Sequence, residues 1–182
     1  MPEFGSVLAN GAAMLPEATT LVYTLAVLAG IVMCVWGVFK AKEAHESHGQ
    51  RGTYRQAAYI IVSGVMLINA SLALGIWSET LLGTPQEPTA NVLSYDSKAA
   101  TAAELSKQTL IAIIAFVQFV GLLAFVRGWF ILPRIGERPD DTLGKALTHI
   151  IGGVLAVNVV TFAKITAFTF GIAALSILLD SI

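Results

Sequence analysis

The sequence predicts an all-α membrane protein: four apolar helices arranged as two tandem helical hairpins in the same orientation, the last helix long enough to protrude or kink. Three observations predict it. Of 182 residues, 55% are apolar and 13% charged, with a mean hydropathy of +0.74, whereas a soluble domain carries about a quarter charged residues. Four runs, 21–39, 57–76, 110–126 and 146–163, hold no charge. Each is close to the roughly 20 residues that cross about 30 Å of hydrocarbon as a helix. Finally, one pattern occurs twice. Val35-Trp-Gly-Val-Phe39, a charged loop, Thr53, Ala57, Gly64-Val65 and Asn69 match Val126-Arg-Gly-Trp-Phe130, a charged loop, Thr142, Ala146, Gly153-Val154 and Asn158. From Thr53/Thr142 to Asn69/Asn158 the offset holds at 89. Val35/Val126 and Gly37/Gly128 lie at 91, so the second loop is two residues shorter. Such repetition marks a building-block design.

In chain order, Leu15-Pro16-Glu17 predicts the first helix start, with proline near the first helical position and an acid in the first turn. No Lys or Arg precedes it and no clean small-x-small cleavage site follows the first apolar run, so that helix is expected to be retained. A charged loop, 40–56, leads to the 57–76 run, which ends at Trp77. Gly83, Pro85 and Pro88 predict an irregular connection over 80–95. Residues 97–108 predict a polar, Ala-rich helix running directly into the third apolar segment. That segment continues past Arg127 until Pro133 stops it. Pro139-Asp140-Asp141-Thr142 predicts the fourth helix start, with carboxylates near the positive end of the helix dipole. Beyond Lys164 the apolar character continues to Leu179, a stretch too long for one untilted crossing. The organisation is therefore one membrane domain: a hairpin over 16–77, a polar connection over 78–108 and a second hairpin over 109–179.

Cationic residues gather in the two short loops. The first carries Lys40, Lys42, Arg51 and Arg55, and the second Arg134, Arg138 and Lys145. The positive-inside rule puts both loops in the cytoplasm and both termini outside. Two hairpins of the same sense agree with a direct duplication and disfavour the inverted repeats of transporters. With its acids counted, the first loop is +2 and the second neutral. Such loops serve topology alone, or form the weakly positive wall of an assembled tube, which would let nucleic acid slide where strong phosphate binding would retain it.

Catalysis has no visible basis. His45-Glu46-Ser47-His48 has one residue too few between its histidines for the zinc-protease pattern and reads as a solvated loop. His149 reads as an interfacial or packed histidine. No Ser/His/Asp set, carboxylate pair or phosphate-binding glycine loop is evident, so no catalytic, cofactor or metal residues are assigned. Cys34 reads as a small apolar filler, and as the lone cysteine it can form no internal disulfide. Asn69, Asn158 and Gln118 read as interhelical hydrogen-bonding groups, each worth about 1 kcal/mol or less. Small residues, among them Gly30, Gly64, Gly152 and Gly153, would let helices approach closely, within a subunit or between subunits. Lys164 interrupts an apolar stretch. It either snorkels to headgroups or contacts a neighbouring acid or a bound phospholipid.

The run from Leu132 to Val159, LPRIGERPDDTLGKALTHIIGGVLAVNV, resembles the IcmC/DotE-like and TraQ-like membrane proteins of type IVB secretion and IncI-type conjugation systems. The resemblance rests on Pro133, Gly136, Thr148-His149-Ile150-Ile151-Gly152-Gly153 and Asn158. It covers 110–165 well and the first hairpin only by general pattern. It implies a Gram-negative transfer machine in the bacterial inner membrane and no catalytic residues. The chain also looks like a doubled conjugative pilin hairpin, whose charged loop is cytoplasmic until the subunit polymerises with lipid into a tube that the loop lines. The partners so implied are the chain itself as a homo-oligomer or helical polymer, phospholipid, other apparatus proteins, and DNA or protein in transit. A fixed scaffold in the same machine and a small solute channel or transporter are the alternatives. The orientation is directly testable: reporter fusions at Ser47 and Glu137 are expected to report the same, cytoplasmic side, and opposite sides would overturn the tandem reading.

Overall fold

The computed structural model describes residue 11 and residues 14–46, 54–83, 102–135 and 142–171. Six α-helices order this part of the chain: α1 (Leu15–Glu46), α2 (Tyr54–Ile68), α3 (Ala70–Leu82), α4 (Ala102–Ile131), α5 (Leu143–Val157) and α6 (Val159–Thr169). A 3-10 turn, Leu132–Arg134, follows α4. Two stretches, Leu15–Glu46 and Thr109–Arg134, are each long and apolar enough to cross a membrane. The count rises to four if each of the two bent helix pairs, α2 with α3 and α5 with α6, is one span.

The ends follow local chemistry. Helix α1 begins at the Leu15-Pro16-Glu17 start. It runs on to Glu46, so Lys40 and Lys42 lie on its last turns and not in a loop. Ala41, Lys42, Glu43 and Ala44 are strong helix formers, and Lys40–Glu43 (3.1 Å) and Lys42–Glu46 (3.6 Å) pair along the helix face. Pro133 falls in the turn that terminates α4. Thr142 caps α5, its Oγ1 accepting the backbone N–H of Lys145 at 3.2 Å.

Helix α1 presents apolar side chains around its circumference. Leu21, Leu25, Leu28, Ile31, Val32 and Val35 are all exposed, as fits a helix whose solvent is lipid. It packs closely along α2, and α4 packs closely along α5. Gly30 faces Gly64 and Ile68, while Gly37 faces Ile60 and Ile61. Partner numbers fall as α1 advances, so α1 and α2 run antiparallel. Gly121 facing Gly153 and Val157, and Gly128 facing Ala146 and Ile150, give the same sense for α4 and α5. Leu15, near the start of α1, clusters with Ala112 and Ala115 in the first half of α4's apolar length. Between the pairs a shared core contains Met33, Ile60, Leu67, Leu74, Phe125, Trp129, Ile150 and Val154. Trp129 meets Trp77 (6.5 Å between centroids) and Phe125 (6.1 Å) edge to face.

The main departure from the sequence expectation is that the 57–76 run is not one continuous helix. It breaks at Asn69, and α3 leaves α2 at 96°. The second repeat breaks at Asn158, where α6 leaves α5 at 85°; the expected kink of the last helix is therefore a right-angle turn. Both breaks share one geometry. Asn69 sits at φ −106°, ψ 39° and Asn158 at φ −98°, ψ 30°, outside the helical well. Each side-chain Nδ2 donates back to the carbonyl four residues earlier, Asn69 to Val65 at 3.2 Å and Asn158 to Val154 at 2.8 Å. The same carbonyls still accept the asparagines' own backbone N–H, at 3.1 Å in both repeats, so the carboxamide adds a second donor there. Ile68 and Val157, the residues just before the breaks, lie against Gly30 and Gly121, near the middle of Leu15–Glu46 and Thr109–Arg134. Both breaks therefore fall at mid-length of the two long helices.

Candidate functional site

Among the described residues no constellation of reactive groups stands out, so the candidate site is built from the contacts that the duplicated residues make. Glycine occupies each crossing because backbone lies where a side chain would start. A Cβ on Gly30 would come within 2.6 Å of Gly64 O and 2.8 Å of Ile68 N. One on Gly121 would come within 2.9 Å of Gly153 O and 2.7 Å of Val157 N. On Gly64 it would meet Cys34 Sγ at 2.6 Å, and on Gly153 Phe125 N at 2.5 Å. On Gly37 it would meet Ile61 Cγ1, and on Gly128 Ile150 Cγ1, both at 2.5 Å.

These are the same contacts twice. Gly30, Cys34 and Gly37 shift by 91 to Gly121, Phe125 and Gly128, while Ile61, Gly64 and Ile68 shift by 89 to Ile150, Gly153 and Val157. The duplicated sequence thus folds into duplicated seams. With no hydrophobic gain between helices in lipid, such close backbone approach is what holds apolar helices together. Sequence reasoning missed Gly37, Gly121 and Gly128 as packing residues. Their signal was present: each first helix carries two glycines seven residues apart at the same offset.

Gly152 differs. It is exposed, and a Cβ there would meet nothing within 4 Å, so it packs no helix within the described chain. Asn158 is buried and accepts a hydrogen bond from Ser78 Oγ at 3.1 Å, linking α3 of the first repeat to the break of the second. Asn69 is exposed and bonds only back to its own helix among the described residues, so the expected interhelical role holds for Asn158 and not for Asn69. Nothing in the sequence pointed to Ser78, whose repeat counterpart is Ala167. Gln118 is buried in α4.

The cationic residues are dispersed. Lys40 and Lys42 are ion-paired on α1, Arg55 is exposed on the first turn of α2, and Arg134 is exposed in the 3-10 turn. Lys145 is partly buried on α5, with its carbonyl 2.9 Å from His149 Nδ1. Arg51 and Arg138 lie outside the described residues, as does His48; His45 Nδ1 is 3.4 Å from Tyr54 Oη. Lys164 is exposed on α6. It lies past the break, on the helix that leaves α5 at 85°.

Comparisons with protein-family models, with curated proteins and with solved structures give no match for this chain.

Two contrasts test this geometry. Gly153→Leu and Gly30→Leu force side-chain atoms into backbone, at a cost of about 3 kcal/mol or more, whereas Gly152→Leu is expected to leave the detergent-dispersed monomer nearly unchanged; equal thermal stability of all three would refute the seams. Ser78→Ala removes the buried hydrogen bond to Asn158, a contact worth about 0.6 kcal/mol and at most about 2. Asn69→Leu, by contrast, is expected to straighten α2 into α3, read as a longer spin-label distance between residues 60 and 80.

Proposed function

We propose that this chain is a structural subunit of a bacterial conjugation or secretion apparatus of the type IVB kind, built as two tandem helical hairpins and polymerising with phospholipid as a pilin. The observation that carries the reading is the doubled seam: two antiparallel helix pairs with the same glycine contacts in one chain. Duplicated non-catalytic packing units suit a protein whose work is to stack. Clustering of Leu15 with Ala112 and Ala115 supports a common sense for the two pairs, since an opposed arrangement would put the start of α1 beside the end of α4. The resemblance of 110–165 to the IcmC/DotE-like and TraQ-like proteins supplies the machine. In this reading the subunit waits in the inner membrane with its cationic turns cytoplasmic, and the turns face the lumen after assembly. It acts without a catalytic residue, and DNA or protein passes without sequence-specific binding.

One observation favours a second reading, a small solute channel or transporter. Both helix breaks lie at mid-length, and broken helices at mid-membrane line polar pathways in transporters. Yet the buried polar pair there, Ser78 and Asn158, is spent on mutual hydrogen bonding, which leaves the pilin reading ahead of it. A fixed scaffold of the same machine would share the fold and differ in copy number.

Electron microscopy of filaments shed by donor cells is the test. Mass spectrometry is expected to find this chain as their major component, and deletion of its gene to abolish them. Filaments that persist after deletion and lack the chain would overturn pilin status, and solute flux through proteoliposomes would favour the channel.

A further inference from the structure

The two helix pairs share their seams but differ on their flanks. Val154 on α5 is fully buried (0% exposed), while its counterpart Val65 on α2 is 47% exposed. Trp129 and Val154 belong to the core shared with the first repeat, so that flank of the α4–α5 pair is covered. Gly128 marks the seam itself, lying against Ala146 O and Ile150 N. At 100° per residue, Arg127 falls on the side of the seam opposite Trp129. By the same count, His149 and Lys145 fall on the side opposite Val154. Arg127, Lys145 and His149 therefore share one flank and one level. His149 Nδ1 lies 2.9 Å from Lys145 O. That carbonyl can only accept, so Nδ1 carries the proton and the ring is held along the flank. Arg127 is exposed and makes no ion pair or hydrogen bond among the described residues. Leu123 and Val120, which continue its stripe of α4, are exposed as well. The first repeat has Trp36, Gln56 and Ile60 at the corresponding places, and Ile60 is fully buried in the shared core. A seam of the same kind thus forms without the cationic set.

We propose that Arg127, with His149 and Lys145 beside it, binds the phosphate of an acidic phospholipid in the leaflet on the side of the two cationic turns. Arg127 stands four residues before α4 ends at Ile131, about 6 Å along the helix. Helix α5 starts at Leu143, so Lys145 lies on its first turn and His149 on its second. The set is therefore within two turns of the helix ends, at the depth where headgroups begin. An arginine on a lipid-facing stripe avoids the cost of its charge in hydrocarbon by extending along the helix to a phosphate. Its planar fork can donate two N–H groups to two phosphate oxygens. Basic sites between membrane helices near the headgroups take acidic lipids. A guanidinium with no acid paired to it among the described residues favours a lipid of net negative charge over one whose headgroup ammonium cancels its phosphate. The inference deepens the phospholipid part of the reading proposed above by giving it a place, and it rests on that reading only in needing the helices to lie in a bilayer.

Native mass spectrometry of the full chain in detergent tests it, with phosphatidylglycerol and phosphatidylcholine titrated separately. Phosphatidylglycerol is expected to bind several-fold tighter than phosphatidylcholine. Arg127→Gln is expected to weaken its binding about tenfold or more, the change that one lost charge-assisted contact gives, and His149→Gln by a smaller factor. Arg127→Lys keeps the charge without the fork and is expected to fall between wild type and Arg127→Gln. Because Arg127 is exposed, its variants are expected to unfold at the wild-type temperature in lipid-free detergent, which separates lost binding from lost folding. Equal affinity of wild type and Arg127→Gln for phosphatidylglycerol would overturn the proposal. So would a loss of binding on Lys164→Gln with none on Arg127→Gln, which would put the lipid on α6. Displacement of the lipid by millimolar inorganic phosphate would mark a free-anion site and overturn it too. Each of these results leaves the pilin reading standing, whereas donor-cell filaments that lack the chain would overturn that reading and leave the lipid site as it is.

Discussion

Close approach of backbone to backbone at Gly30–Gly64 and Gly121–Gly153 is the constraint on which the rest of the structure depends. In lipid the helices gain nothing by hiding apolar surface from water, so van der Waals contact and weak polar contacts must hold them. Those fall off steeply with distance. A glycine at the crossing brings carbonyl and Cα of the facing helix to where a side chain would stand, and the flanking Ile61, Ile68, Phe125 and Ile150 then fit around it. Remove the glycine and the pair must separate along its length, because a rigid helix cannot yield at one residue.

Given the seams, the breaks fall into place. Helices α2 and α5 each run from a charged turn to mid-length of their partners, and there an asparagine turns its carboxamide back on the ladder. The next helix, α3 or α6, then departs at close to a right angle. In the first repeat this swings α3 onto α5 and brings Trp77 against Trp129 and Ser78 against Asn158. The break thus adds α3 to a junction that α1 and α2 already make with α4 and the turn after it. The second repeat has the same break, and α6 covers no further repeat among the described residues. The asymmetric exposure of Val65 and Val154 is the direct consequence.

Much of this was written in the residues. The alternation of charge-free runs with cationic turns, Pro16, Pro133 and the Thr142 cap marked where the long helices begin and end, because those signals act over one or two turns. The matched offsets of 89 and 91 marked the duplication, and with it the positions of Gly64 and Gly153, while Gly30 stood out only as a small residue in an apolar run. Less legible was the role of Asn69 and Asn158. A lone asparagine in an apolar run is compatible with an intact helix and a partner across the interface, and only backbone geometry distinguishes that from a break. Charge at Lys40 and Lys42 suggests solvent and hence a loop, whereas pairing with Glu43 and Glu46 along the same face carries α1 on to Glu46.

By itself the sequence determined an all-helical, membrane-compatible chain, its repetition and its helix starts, since these follow from local propensity, solvent preference and residue spacing. Tertiary structure alone decided which glycines meet, that Gly152 stays open while Gly153 is enclosed, and that Ser78 is the donor for Asn158. Those outcomes depend on the rotation of one helix about another. A turn of one residue, about 100°, exchanges an enclosed position for an open one without altering composition or pattern.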